Sequence, residues 1–570
     1  MKKKCSAEEA GLEEAAGEVQ KWFAKEVTYE GESYTIDVEQ AAAVAADNHN
    51  TIVVARAGSG KTRTIVAKIV YLIAKRGMRP EEIIAFVFNS NAATEINARL
   101  SKMMVRGEPV VVDVKIAVTF HAFARRIVYN IGGFDKCGKI LAAAKEDFVR
   151  AILITMGVER KQLDEMTKLM SLFINRAQQR YLGGEAAEMV RHIAGYLSSR
   201  SVGERERKFV EMGLDCYKRY HWYLLNAGPR SRLAGGEFSE YGTDFNLIMS
   251  WAAKIIRERR ADELIGGKKY ILIDEYQDFS QLFLSVIQAI RSVVDAKLFV
   301  VGDDWQAINR FAGSDVEYFK DFEKFFDGDT RRFEITTNYR CDAEIVEMAR
   351  RFMRRAMDER GNFRAKSRRS GKVVVVNPKR TSVRIAFTDH DARVSVEDLI
   401  YQEAAWRMLH RAPKKKTVQY VKTLLRIIRE NRKAKEILLL HRNNETGLEG
   451  ATLVRLGVAL RWGAIRLGVM SGADFDVKVQ LMTMHKSKGL EAEVVIILEA
   501  DEGVIPKVHP DTQLFAVFGE TDEVALDDQK RLFYVAMTRA KKRLYIIHAG
   551  SKKAGEGFIK YLGKGVERDF

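Results

Sequence analysis

An apolar run, Thr51-Ile52-Val53-Val54, leads straight into Ala55-Arg56-Ala57-Gly58-Ser59-Gly60-Lys61-Thr62 and on into a helically spaced stretch ending near Lys75. A strand, a glycine turn and a helix in that order open a parallel α/β sheet, because parallel strands need a helical crossover to bring the chain back. The turn itself has a chemistry. Its glycines let backbone N–H groups approach phosphate oxygens, Lys61 reaches the β and γ phosphates, and the Thr62 hydroxyl can ligate Mg²⁺. Ala57, Gly58, Ser59, Gly60, Lys61 and Thr62 are therefore expected to hold ATP, although Ala55 stands where the general pattern has its first glycine.

Short apolar runs bounded by polar residues or glycine, as central parallel strands are, recur at 83–88, 115–119, 270–274 and 297–301. They place a first nucleotide domain over 34–124 and 241–335. The intervening 125–240, rich in Leu, Met, Lys and Arg, reads as a helical insertion. Residues 8–26 form an amphipathic pattern in a peripheral extension covering 1–33. A second α/β domain is expected over 336–570, with strands at 372–377, 436–441, 493–498 and 543–548 and a reduced insertion around 443–478. The charged stretch 378–435, with Lys414-Lys415-Lys416, reads as a solvated face.

Leu272-Ile273-Asp274-Glu275 ends an apolar run in carboxylates, so Asp274 is expected to hold Mg²⁺ and Glu275 to orient or deprotonate the attacking water. Gln306, after Val301-Gly302-Asp303-Asp304-Trp305, offers an amide to the γ phosphate or the water. Arg340 in Asn338-Tyr339-Arg340 and Arg539 in Thr538-Arg539-Ala540 are expected to stabilise charge on the γ phosphate, and to close and reopen the two domains as ATP binds and is hydrolysed. Aromatic residues at strand ends can stack bases. Phe88, Phe120 with His121, and Phe311 are the candidates, with Thr119 and His485 as phosphate contacts.

Four scattered cysteines form no C-x-x-C pair, which argues against a zinc site or a disulfide framework. No apolar leader or membrane-spanning run is evident, so a cytoplasmic protein is expected. The formal net charge of +17 favours a polyanionic partner.

These residues together resemble the UvrD/Rep family of superfamily 1 DNA helicases, and Gly302 to Phe311 looks most like its helicase IV branch. The resemblance implies an α/β fold of two RecA-like parallel-sheet domains, ATP and Mg²⁺ as cofactors, and 3′ to 5′ movement along single-stranded DNA. It further implies that Gln40 reads adenine, that Arg63 and Tyr339 sandwich the ring, and that Glu491 contacts ribose. Thr119-Phe120-His121, Thr243-Asp244-Phe245 and Phe88 match strand-contact motifs. Asn309 and Ala312 depart from the aromatic and arginine of many relatives, which implies weaker base gripping there. The short interval between His441 and Val479 implies that the large regulatory subdomain of UvrD is nearly absent.

The first expectation is an ATP-dependent helicase acting in repair, recombination or defence, as a monomer or weak oligomer on single-stranded and tailed duplex DNA. The alternative is a protein-displacing translocase or the motor subunit of a nuclease complex. Residues 540–570 leave little room for a fused nuclease, so a nuclease or repair partner would supply any cleavage. A third reading, a P-loop ATPase unrelated to nucleic acid, is disfavoured by the strand-contact matches.

Overall fold

The computed structural model describes residues 2–111, 114–131, 144–181, 186–199, 202–226, 244–358, 361–376, most of 423–442, 478–548, 557–563 and 567–569. They form two compact units. The first comprises Met1–Ala55, Gly60–Ile335 and Pro510–Asp522, the second Arg56–Ser59, Thr336–His509 and Glu523–Phe570.

The first unit is built on a six-stranded sheet in the order Thr330–Ile335, Asn50–Ala55, Lys297–Gly302, Tyr270–Ile273, Ile83–Val87, Ala117–Thr119. Every pairing is parallel. The central strands are buried along their length, which is why they read as continuous apolar runs rather than alternating ones. Ligands of open parallel sheets bind beyond the carboxyl ends of the strands. Here those ends lead into the phosphate turn, Phe88, Phe120-His121, Asp274-Glu275 and Asp303–Gln306. Thr330–Ile335 is missing from the expected strands because charged residues interrupt it, as befits a half-exposed edge.

The amino-terminal helix Lys2–Glu26 departs from expectation. Val19, Trp22 and Phe23 are buried in the same core as Val53 and Ile65, and Trp22 packs edge-on against Phe23 and Tyr71 at 4.8 and 6.3 Å. An extension that places this much apolar surface against the sheet domain is part of its core.

The helices Ala144–Thr155, Arg160–Tyr181, Ala186–Ser198 and Glu204–Asn226 occupy the region read as an insertion. Their core contains Phe173, Phe209, Val210 and Tyr220, and also Leu514, Phe515, Val517 and Phe518. The segment Pro510–Asp522, expected to lie with the second domain, is thus part of the first unit.

The second unit carries another parallel sheet, in the order Lys478–Thr483, Glu436–His441, Ala492–Ile497, Ala540–Ile547, Lys372–Val376, Glu567–Asp569. Lys478–Thr483 and Glu567–Asp569, both at edges, are absent from the expected set. Residues 443–477, which make up nearly all of the expected reduced insertion, and 377–422 lie outside the described residues. Among the described residues no helix is long and apolar enough to cross a membrane.

Candidate functional site

The helix Lys61–Ala74 begins after Gly60, which has φ 88° and gives no side-chain cap to the first turn. The N–H groups of that turn are the donors that a helix leaves over at its start, where negative charge is favoured, and Lys61 is the first residue of the turn. A Cβ on Gly60 would come within 2.7 Å of Gln40 Nε2, the movable end of a side chain, so it is the backbone that favours glycine here. Gln40, expected at the adenine ring, is the third residue of the helix Val38–Ala45. It closes a capping box, accepting from Asp37 N at 3.2 Å while its own N–H donates to Asp37 Oδ1 at 2.7 Å. Arg63 lies 4.6 Å above the Tyr34 ring, and the Tyr34 hydroxyl donates to the Arg63 carbonyl at 3.2 Å. Burial pushes that hydroxyl up to about 12. Tyr34, which orients Arg63, was not singled out from sequence; it lies far from the motif and carries no local signature.

The carboxylates follow the buried strand Tyr270–Ile273. Thr62 Oγ1 donates to Asp274 Oδ2 at 3.5 Å, and Glu275 N donates to Asp274 Oδ1 at 2.8 Å. Burial raises Asp274 to about 7, the Glu275 charge adds to the rise, and Lys61 and Thr62 oppose it. A hydroxyl and a carboxylate are hard oxygen donors that suit Mg²⁺, which takes few protein ligands and completes its shell with phosphate and water.

Glu275 stands at φ 49°, a left-handed conformation uncommon for a residue other than glycine. Its carboxylate accepts from Gln277 Nε2. Gln277 Oε1 in turn accepts from Asp303 N at 2.8 Å, and Asp303 Oδ2 accepts from Gln306 Nε2 at 2.6 Å. Glu275, Gln277, Asp303 and Gln306 therefore form one chain of hydrogen bonds across the ends of neighbouring strands. Sequence reading found its two ends and missed fully buried Gln277, whose only hint is an amide placed between two acidic residues. Gln277→Leu should lower ATP turnover about 10²-fold with nucleotide affinity retained, because small misplacement of a reacting group costs this much. Steady-state hydrolysis beside nucleotide titration checks it.

In the second unit, Asn338 is fully buried and organises its neighbours. Its Nδ2 donates to the Ala57 carbonyl at 2.6 Å, and its Oδ1 accepts from Arg340 N and Cys341 N at 2.9 and 2.6 Å. Tyr339 N donates to the Gly58 carbonyl at 2.9 Å. A Cβ on Gly58 would lie 2.7 Å from both Asn338 Nδ2 and Arg340 Cβ. Buried Ala57 and Ser59 complete this segment, and Ser59 N donates to the Arg56 carbonyl at 3.1 Å. Asn338 lies within the Asn338-Tyr339-Arg340 signature, whose spacing assigns it no role; in the structure it holds the loop Arg56–Ser59. The Tyr339 side chain, expected at the adenine ring, is 47% exposed.

Arg340 Nε donates to Glu491 Oε2 at 2.6 Å, and Lys541 lies 2.5 Å from the other Glu491 oxygen. Burial pushes the Glu491 carboxyl up, but Lys541 and Arg340 together hold it below its usual value. The expected ribose contact is thus engaged by two cations. Arg539 is 1% exposed; it donates to the carbonyls of Val535 and Leu490 at 2.9 and 3.3 Å and to Thr538 Oγ1 at 3.2 Å.

The expected strand contacts divide. Phe311 is 56% exposed. Thr119 caps the helix Phe120–Asn130, accepting from Ala122 N at 3.1 Å. Phe88 is half-buried, edge-on to Phe283 at 5.3 Å. Phe120 differs from expectation: it is buried, stacked between Phe86 and Phe283 at 4.5 and 4.3 Å, so it supports the strand ends and has no face left for a base. His121 lies edge-on to Phe245 at 5.3 Å, and burial lowers its pKa. A hollow of about 510 Å³ opens beside it, lined by His121, Arg125, Arg126, Tyr129 and Phe245 among others. Asp244 is buried, capping the helix Phe245–Arg257 and accepting from Gln178 and Tyr220 at 2.7 and 2.9 Å; Thr243 lies outside the described residues. Burial, with Arg442 and Lys488, pushes His485 down to about 4, so it offers a neutral hydrogen bond rather than a charge.

Residues 36–327 match the UvrD/REP helicase N-terminal domain, and 394–551 the UvrD-like helicase C-terminal domain. The chain is similar to DNA helicase IV of Escherichia coli (strain K12), 26% identical over 569 residues that span 93% of this chain and 70% of the relative. It is similar also to a probable DNA helicase of Mycoplasma pneumoniae, 24% identical over 514 residues, 90% of this chain and 83% of that one. The similarity to the ATP-dependent DNA helicase Rep of Buchnera aphidicola is 24% over 318 residues, covering 55% and 44%.

Proposed function

The chain belongs to the UvrD/REP family of ATP-dependent DNA helicases, and from that premise we propose that it moves 3′ to 5′ along single-stranded DNA and opens tailed duplexes. One observation carries the reading. Gln306, at the end of the hydrogen-bonded chain from Glu275, and exposed Phe311 lie five positions apart on one loop, so the group that senses hydrolysis and the ring that meets a base share a backbone.

In this mechanism the N–H groups at the start of the helix Lys61–Ala74 and the Lys61 ammonium bind the phosphates. Glu275, oriented by Gln277, takes a proton from water as its oxygen attacks the γ phosphorus and the bond to the bridging oxygen breaks, leaving ADP and phosphate. Arg340 and Arg539 supply positive charge to the γ phosphate, Tyr339 and Arg63 hold the adenine, and Gln40 and Glu491 contact the nucleoside. Thr62 and Asp274 would hold Mg²⁺, which neutralises charge on the β and γ phosphate oxygens when bound.

Phe311, Phe88, Thr119, His121 and His485 carry the strand, and the hollow lined by Arg125, Arg126, Tyr129 and Phe245 joins two cations to aromatic faces, the combination that suits a nucleotide chain. Phe311→Ala should weaken single-strand binding about 5- to 150-fold, the worth of one stacked base. Hydrolysis without DNA should not change. Fluorescence anisotropy of a labelled oligonucleotide measures the first and a phosphate-release assay the second; unaltered affinity would remove Phe311 from the strand path.

A further inference from the structure

The helix Arg160–Tyr181 touches two segments that the proposed mechanism leaves unconnected. One is the loop that carries Phe311. Arg176 Nη1 donates to the Arg310 carbonyl, and Gln179 Nε2 donates to the Ala312 carbonyl at 2.6 Å. Gly313 follows at φ 90°, where a Cβ would collide with the Gln179 amide. Residues 176 and 179 lie three apart, on one face of the helix, so they grip the loop on either side of Phe311.

The other is the segment Pro510–Asp522. Phe518 and Phe515 pack on Phe173 and Phe209 at 4.9 and 5.3 Å, Arg180 Nη1 donates to the Phe518 carbonyl at 2.7 Å, and the His192 ring meets the Val517 carbonyl at 3.0 Å. Glu520, near the end of the segment, lies 2.5 Å from Arg176 Nε; the two side chains are 18% and 8% exposed. Burial raises the Glu520 carboxyl, and Arg176 and Arg310 oppose the rise. A pair in which the guanidinium is buried and the carboxylate partly so is a specific link, because Arg176 alone would be a poorly compensated charge. The chain then runs from Glu520 into the helix Asp522–Met537, which ends at Thr538-Arg539.

We propose that Arg176 is a positioning residue that couples the ATP cycle to the strand grip, holding the backbone beside Phe311 with one nitrogen and the Glu520 carboxylate with another. A displacement of the helix that leads to Arg539 reaches Glu520 through the chain itself, and Arg176 passes it to the Phe311 loop. Removing the pair leaves the ATP residues and Phe311 chemically intact while their timing is lost. This rests on the reading of Phe311 as a strand contact.

The test compares Glu520→Gln, Arg176→Lys and Phe311→Ala with the parent chain, measuring nucleotides travelled per ATP along single-stranded DNA together with oligonucleotide affinity, DNA-independent hydrolysis and the thermal unfolding midpoint. Glu520→Gln should keep affinity and DNA-independent hydrolysis within about twofold. It should lower the distance travelled per ATP by about fivefold or more. Arg176→Lys keeps the charge but offers no fork to hold both partners, so it should fall between. A lowered midpoint with an unchanged distance per ATP would overturn the proposal and leave the pair a structural one. If Glu520→Gln does not fold, Glu520→Asp, which shortens the reach by one methylene, reads the same ratio. Failure of the underlying reading looks different: Phe311→Ala then binds oligonucleotide as the parent does.

Discussion

Glu275→Gln should lower ATP turnover about 10²- to 10⁴-fold, the usual contribution of a positioned general base, with ATP still bound. The substitution removes a proton acceptor and little else. Glu275 is fixed by its strained φ of 49° and by the hydrogen bond from Gln277, and the amide of a glutamine can still accept that bond. The chain through Asp303 to Gln306 therefore remains in place. Single-turnover hydrolysis beside nucleotide titration separates the step from the binding. Turnover within about twofold of the parent would move the base elsewhere.

Arg539→Lys should cost as much or more, about 10³- to 10⁵-fold in turnover, if Arg539 meets the charge that develops on the γ phosphate. Lysine keeps the charge but not the planar fork. It is a better probe than alanine, because Arg539 is buried and its guanidinium serves the carbonyls of Val535 and Leu490, which alanine would orphan. The unfolding midpoint, recorded beside the hydrolysis rate, tells a lost fold from a lost catalyst. Normal hydrolysis by a folded Arg539→Lys chain would assign Arg539 to holding its own domain together.

What could be read from the sequence was whatever lies close along the chain. Lys61, Thr62, Asp274, Glu275 and Gln306 each follow a buried strand, and local spacing is enough to place such residues at the carboxyl edge of a parallel sheet. Gln277, Asn338 and Tyr34 act through partners distant in sequence, so no spacing announces them. Phe120 shows the opposite error. An aromatic at a strand end can face a base or a neighbouring ring, and only the positions of Phe86 and Phe283 decide between the two. The amino-terminal helix and Pro510–Asp522 were misplaced for a similar reason: amphipathic spacing says that one face is covered without saying by what. Edge strands such as Thr330–Ile335 lack the apolar continuity that marks the central ones.

The central claim, that hydrolysis at Lys61 and Glu275 is coupled to DNA, is tested most directly by the ATPase rate with and without single-stranded DNA, run with a 3′-tailed duplex and Glu275→Gln as the blank. The account predicts strong stimulation by the single strand and opening of the tailed duplex; an ATPase rate indifferent to DNA would contradict it.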